Sequence, residues 1–225
     1  MKKPWHQARP ALLEQLRADV AAFCTTMHVL IEDDVVRVRG TFPVRHDAEV
    51  LDRFSVDIEI PADYPDRLPI VRETRGRIPW IADRHVYTNG TACVLLPEDR
   101  WWSFPPDRSF LEYLTTPLHN YFLGQCVVEA GGAWPFSEHR HGLNGVIDFY
   151  KERFGTDDAK VVVRLLELVV SGRFKGHWPC PCGSGKKLRK CHLPGLLDVA
   201  NRMPASAAKK SLENIFAAVK RAEHP

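Results

Sequence analysis

Cys180, Cys182, Cys191 and His192 fall within one short run, His177-Trp178-Pro179-Cys180-Pro181-Cys182-Gly183-Ser184-Gly185-Lys186-Lys187-Leu188-Arg189-Lys190-Cys191-His192. Three thiolates and an imidazole at this spacing can close a tetrahedral zinc sphere. Cys180 and Cys182 sit on a proline-fixed turn. Gly183 and Gly185 allow the chain to fold back, and the lysines and arginine that follow offset thiolate charge. A four-coordinate, thiolate-rich site keeps no open position, so the expected chemistry is structural rather than catalytic.

A second stretch, His85 to Trp101, offers a different chemistry. Cys93 follows the turn signal Asn89-Gly90 and precedes the apolar run Val94-Leu95-Leu96. His85, Tyr87, Thr88, Thr91, Glu98 and Asp99 surround it in sequence. A thiol just past a turn can be presented at a surface while its neighbours anchor in a core. As a thiolate it would be a nucleophile. The same residue also reads as a buried structural cysteine, since free cysteines are among the most buried side chains. Local sequence leaves both readings open.

The elements that must position these groups follow from periodicity. Leu12, Leu13, Leu16, Val20 and Cys24 form one stripe of a helix over residues 8–24. Val36 and Val38, then Phe54, Val56, Ile58 and Ile60, alternate with polar residues as half-buried antiparallel strands do. A polar loop is expected from Arg45 to Asp52. The proline-rich run Pro61 to Pro69 breaks the sheet, and Ile70-Val71 resumes it. Gly76 to Arg108 has little periodicity, as functional segments often do. Helical spacing returns over residues 109–123, where Pro117 should produce a kink. It returns again through Ile147, Tyr150 and Phe154, and from Val161 to Val169 after an Asp157-Asp158 cap. Glu138, His139 and His141 lack the spacing of a helical metal pair with a third ligand. The pattern is α+β: an N-terminal helix, a four-stranded antiparallel meander and C-terminal helices, with a small zinc motif appended.

Net charge is +3, from 31 basic and 28 acidic residues, which by itself points to neither nucleic acid nor a membrane surface. No apolar run is long enough to cross a bilayer. The first residues carry charge without an apolar core behind them, unlike a signal peptide. Scattered cysteines beside one cluster suit a reducing cytoplasm better than a disulfide framework.

Two family resemblances go beyond these inferences. Cys180-Pro181-Cys182-Gly183-Ser184-Gly185-Lys186-Lys187 through Lys190-Cys191-His192 resembles the SEC-C motif, which implies bound zinc and a docking role. The centre of the chain resembles the ubiquitin-conjugating enzymes. Phe54 to Ile60 followed by Pro61-Ala62-Asp63-Tyr64-Pro65 and Pro69 is similar to that family's third strand and proline turn. Asn89-Gly90-Thr91-Ala92-Cys93 is similar to the sequence around its nucleophile, and Trp101 stands eight residues after the cysteine, as in the family. The resemblance covers about residues 8–155, with its specific part at 54–101. The family's His-Pro-Asn is absent, and Asp83-Arg84-His85 stands there instead. Residues from Trp134 to Tyr150 also look like bacterial members of that family.

These resemblances imply a catalytic domain over 1–155, a helical linker over 156–176, the zinc motif over 177–196 and a C-terminal helix over 197–225. They imply Cys93 as the acyl-accepting nucleophile and His85 as oxyanion donor or base, with Tyr87, Asn89 and Trp101 shaping the rim. Zinc would be held by Cys180, Cys182, Cys191 and His192. The implied partners are a ubiquitin-like protein or a cGAS-like nucleotidyltransferase, a target protein and an activating enzyme, in a bacterial conjugation or antiviral defence setting. A nucleic-acid partner is not expected.

Overall fold

Asp33 and Asp34, at φ 50° and 62°, close the first hairpin. Two adjacent positive-φ residues match the right-handed twist of the flanking strands, and Asp tolerates that region better than most side chains. The hairpin pairs β1 (Met27–Glu32) with β2 (Val35–His46), so that Glu32 faces Val35 and Met27 faces Gly40. β3 (Glu49–Ile60) and β4 (Ile70–Glu73) continue an antiparallel meander in the order β1-β2-β3-β4. This computed structural model describes residues 3–47, 49–136 and 142–223.

The expected loop from Arg45 to Asp52 is mostly strand. β2 and β3 pair out to His46 and Glu49, with a register irregularity between Val44 and Arg45. Asp47, at φ 52°, makes the reversal in far fewer residues than its polar surroundings suggested. Polarity there reflects an exposed hairpin end, not an absence of strand.

The chain divides into two compact units, Met1–Ser137 and Glu138–Pro225. In the first, α1 (Trp5–Ala8) and α2 (Pro10–Phe23) precede the sheet. α3 (Arg100–Ser103), α4 (Phe110–Tyr113) and α5 (His119–Glu129) follow it. Ser109 and Glu112 form a reciprocal capping box at the start of α4. Between α4 and α5, Leu114–Leu118 form a π-helical turn containing Pro117. The wide turn accommodates the missing N–H, so helical structure continues past the proline.

α5 reaches the sheet through Phe122, whose ring lies 5.0 Å from Phe42 and stacks on Phe54 at 4.7 Å. Phe42 and Phe54 face one another across β2 and β3. Alternation of β3 places Phe54, Val56, Ile58 and Ile60 in one core with Leu16, Val20 and Leu118. Cys24 closes α2 as its C-cap and is buried, as the stripe implied.

The second unit contains α6 (Leu143–Phe154), α7 (Ala159–Ser171), α8 (Leu193–Arg202) and α9 (Ala205–Glu223). Asp158 caps α7 by accepting from the Lys160 N–H at 2.7 Å. This division differs from the sequence reading, which ran the first domain to residue 155 and made 156–176 a linker. α6 lies in the second unit, and α7 buries Val161, Val162, Leu165, Leu166 and Val169 as a core helix would. Residues 197–225 hold the end of α8 and then α9, because Pro204 interrupts the helix. Glu138, His139 and His141 lie outside the described residues.

Candidate functional sites

The cysteine cluster is built by a local hairpin. The Leu188 N–H donates to the Trp178 carbonyl at 2.8 Å, and Cys180 N–H to Lys186 at 2.9 Å. Gly183 and Gly185, at φ 79° and 72°, make the reversal between them. A 3₁₀ turn over Leu188–Lys190 then delivers Cys191, and His192 is the N-cap of α8. Buried Leu188 anchors the turn from below. Arg164 of α7 donates to the Pro181 carbonyl at 2.9 Å and pins the outer loop. At Gly195 a side chain would meet the Arg153 carbonyl at 2.4 Å, so the helix after the cluster needs glycine to approach α6 this closely.

The result is one group of four ligand atoms, all within 4.8 Å of one another. Cys180 Sγ lies 3.1 Å and Cys191 Sγ 3.2 Å from His192 Nδ1, and Cys182 Sγ lies 3.6 Å from Cys191 Sγ. Metal–sulfur bonds near 2.3 Å and metal–nitrogen bonds near 2.0–2.1 Å give tetrahedral edges of roughly 3.5–3.8 Å. The donor set and spacing fit a four-coordinate divalent ion with a slight opening of the two sulfur–nitrogen edges. All four sequence-predicted ligands are brought together.

Cys93 is positioned by contacts from farther along the chain. The Ala92 N–H donates to Val71 of β4 at 2.8 Å, and the Cys93 N–H donates to the His85 carbonyl at 2.7 Å. Val86 and Ala92 form a β-bridge around the intervening turn. Gly90, at φ 77°, sits where a side chain would collide with the Trp80 ring at 2.6 Å. Asn89 accepts from both the Thr91 N–H and hydroxyl, at 3.1 and 2.7 Å, so its amide shapes the turn. The Tyr87 hydroxyl donates to Cys93 Sγ at 3.2 Å.

The thiol is half-buried, and burial pushes its pKa above the ordinary cysteine value. The Tyr87 hydroxyl pulls it down, and the Glu98 charge adds to the upward shift. At neutral pH the group is therefore held as a thiol with a hydrogen-bond donor aimed at its sulfur.

His85 occupies the left-handed region at φ 49° and ψ 42°, uncommon for a residue with a side chain. Its carbonyl meets Cys93, while its ring stands 4.1 Å from the Trp134 ring. Trp101 is buried, with the Arg100 guanidinium 4.6 Å over its ring, and does not form an exposed rim. Tyr87 is exposed.

Sequence reasoning missed the residues that hold His85 in place. Gln125, fully buried in α5, accepts from Arg84 Nε at 2.7 Å and donates to the Arg84 carbonyl at 2.8 Å. Arg84 also pairs with Glu129 at 3.2 Å, and Glu129 pairs with Arg77 at 2.6 Å. The available signal was a polar residue at i+3 from Phe122 on an apolar helix stripe. Cys126, nearby, is pushed up to about 11 by burial.

The SEC-C motif matches residues 179–194. No curated protein and no solved structure matches the chain. Among the described residues, no helix is long and apolar enough to cross a membrane.

Proposed function

We propose that the first unit is a ubiquitin-conjugating-like acyl carrier and that the cluster of the second unit holds a structural zinc ion. Cys93 would take the C-terminus of a ubiquitin-like protein or a cGAS-like nucleotidyltransferase from the thioester of an activating enzyme. The Cys93 thiolate attacks the carbonyl, a carbon–sulfur bond forms, and the donor thiolate leaves and takes up a proton. A target amine then attacks, an amide forms, and Cys93 is released. His85 would stabilise the oxyanion or orient the amine.

One observation carries this reading. A helix and a four-stranded meander lead to a hydrogen-bonded, half-buried cysteine on a structured turn, in the order the resemblance implies. For the metal, a closed set of three thiolates and one imidazole favours zinc over harder cations. With no open position it would brace the hairpin without taking part in acyl transfer.

The upward shift of the Cys93 thiol favours a second reading, an inactive fold of the same kind used as a binding module. Single-turnover transfer from a thioester-activated partner separates the two. The carrier reading expects Cys93→Ala to abolish acceptance with the fold intact. It expects His85→Ala to accept normally but discharge to amine more slowly, by about 10²–10³. No acceptance by the wild type, with the activated partner present, would leave the binding-module reading standing.

A further inference from the structure

Acyl transfer from a thioester passes through a tetrahedral intermediate in which the former carbonyl oxygen carries the charge. A hydrogen-bond donor held beside that oxygen lowers the barrier. Backbone N–H groups often serve, but those of the turn before Cys93 are engaged elsewhere. The Tyr87 N–H donates to the Thr91 carbonyl and the Gly90 N–H to the Tyr87 carbonyl, each at 2.9 Å. The Thr91 N–H donates to the Asn89 side chain, the Ala92 N–H to Val71 and the Cys93 N–H to the His85 carbonyl. His85 thus meets Cys93 through an acceptor, while its ring lies against Trp134.

The Tyr87 hydroxyl differs from these groups, because it donates to Cys93 Sγ itself, at 3.2 Å. The Tyr87–Thr91 hydrogen bond and the Val86–Ala92 bridge fix the backbone that carries it, so the donor is preorganised. Once Cys93 is acylated its sulfur is uncharged and a weak acceptor. The thioester oxygen is separated from that sulfur by the carbonyl carbon alone, which sets it beside a hydroxyl already in contact with the sulfur.

Activation of the thiol accounts less well for the same contact. Burial holds the Cys93 thiol above the ordinary cysteine value even with Tyr87 in place. Tyr87 is itself held above the ordinary tyrosine value, by burial of its hydroxyl first and then by Cys93 and Glu98. At neutral pH it therefore remains a donor.

We propose, resting on the acyl-carrier reading, that Tyr87 is the oxyanion donor for the thioester on Cys93 and that His85 is left to orient the amine. In discharge the amine nitrogen adds to the thioester carbon, and the carbonyl π pair moves to oxygen, which accepts from the Tyr87 hydroxyl. The pair then returns, the carbon–sulfur bond breaks, and the proton lost by nitrogen reaches the Cys93 sulfur through solvent. Tyr87 keeps its own proton throughout.

The test acylates the full chain with the mercaptoethanesulfonate thioester of acetylglycine and follows, by intact mass, the acyl group that Cys93→Ala does not take up. Discharge to free lysine is timed for wild type and Tyr87→Phe. Alkylation of the unacylated proteins by iodoacetamide, a reaction that forms no oxyanion, is timed beside it. Tyr87→Phe should discharge about 10²–10³ times more slowly than wild type. Its alkylation should fall only several-fold, which also shows that the surroundings of Cys93 are kept. Discharge at the wild-type rate, or slowed no more than alkylation is, would overturn the proposal and leave the carrier reading in place. A wild type that takes up no acyl group on Cys93 would remove both.

Discussion

Cys93 and Cys182 are both half-buried thiols, each with a hydroxyl about 3 Å from its sulfur, and their surroundings drive them in opposite directions. Burial dominates at Cys93 and raises its pKa despite Tyr87. At Cys182 the Ser184 hydroxyl dominates and lowers it. The cluster around Cys182 is assembled by residues close in sequence, on a hairpin fixed by two glycines. The setting of Cys93 is assembled by β4, α5 and Trp134, which are distant in sequence. One site is assembled by its local turn and would be closed by the proposed metal. The other depends on packing.

The comparison breaks most sharply under chelation. Structural zinc in small motifs contributes about 10–16 kcal/mol of apparent binding free energy. Stripping it should abolish hydrogen-exchange protection at the Cys180 and Leu188 amides and leave the first unit unchanged. Protection loss around Phe122 on chelation would show that the two regions are not independent in this sense.

The converse perturbation is smaller. Phe122→Ala removes the ring that joins α5 to Phe42 and Phe54, at a cost of about 3–5 kcal/mol. The first unit's melting temperature should fall by about 10 °C, with zinc content per chain unaltered. A variant that also loses its zinc would contradict the division.

Smallest is the effect of the tyrosine. The raised thiol pKa places the Cys93 thiolate above the ordinary cysteine range. Alkylation of Cys93 should therefore rise with pH and level off at a higher pH than that of an ordinary cysteine. The Tyr87 hydrogen bond stabilises the thiolate, so Tyr87→Phe should raise the pKa further and slow labelling several-fold at fixed pH. Faster labelling in Tyr87→Phe would mean that tyrosine shields the sulfur instead. In either protein Cys93 should label well before buried Cys24.

The same contrast explains what the sequence made legible. The four metal ligands could be read from spacing because one hairpin brings them together. β2 and β3 could be read because one face of each alternates into a core. The Gln125 clamp could not, since it joins α5 to Arg84 across 41 positions and helix spacing marks only an odd polar residue. Nor could the packing of the His85 ring against Trp134, which accompanies a left-handed backbone at His85. The division at residue 137 was hidden because α6 continues the same helical periodicity without showing which core it serves.

The central claim is that Cys93 accepts an acyl group, and intact-mass analysis of the full chain with a thioester-activated partner tests it most directly. The wild type should gain one partner mass and lose it on treatment with a thiol reductant. Cys93→Ser should gain the same mass as an oxyester that survives the reductant, because an alkoxide is a poorer leaving group than a thiolate. No added mass on either protein, with the activated partner present, would contradict the account.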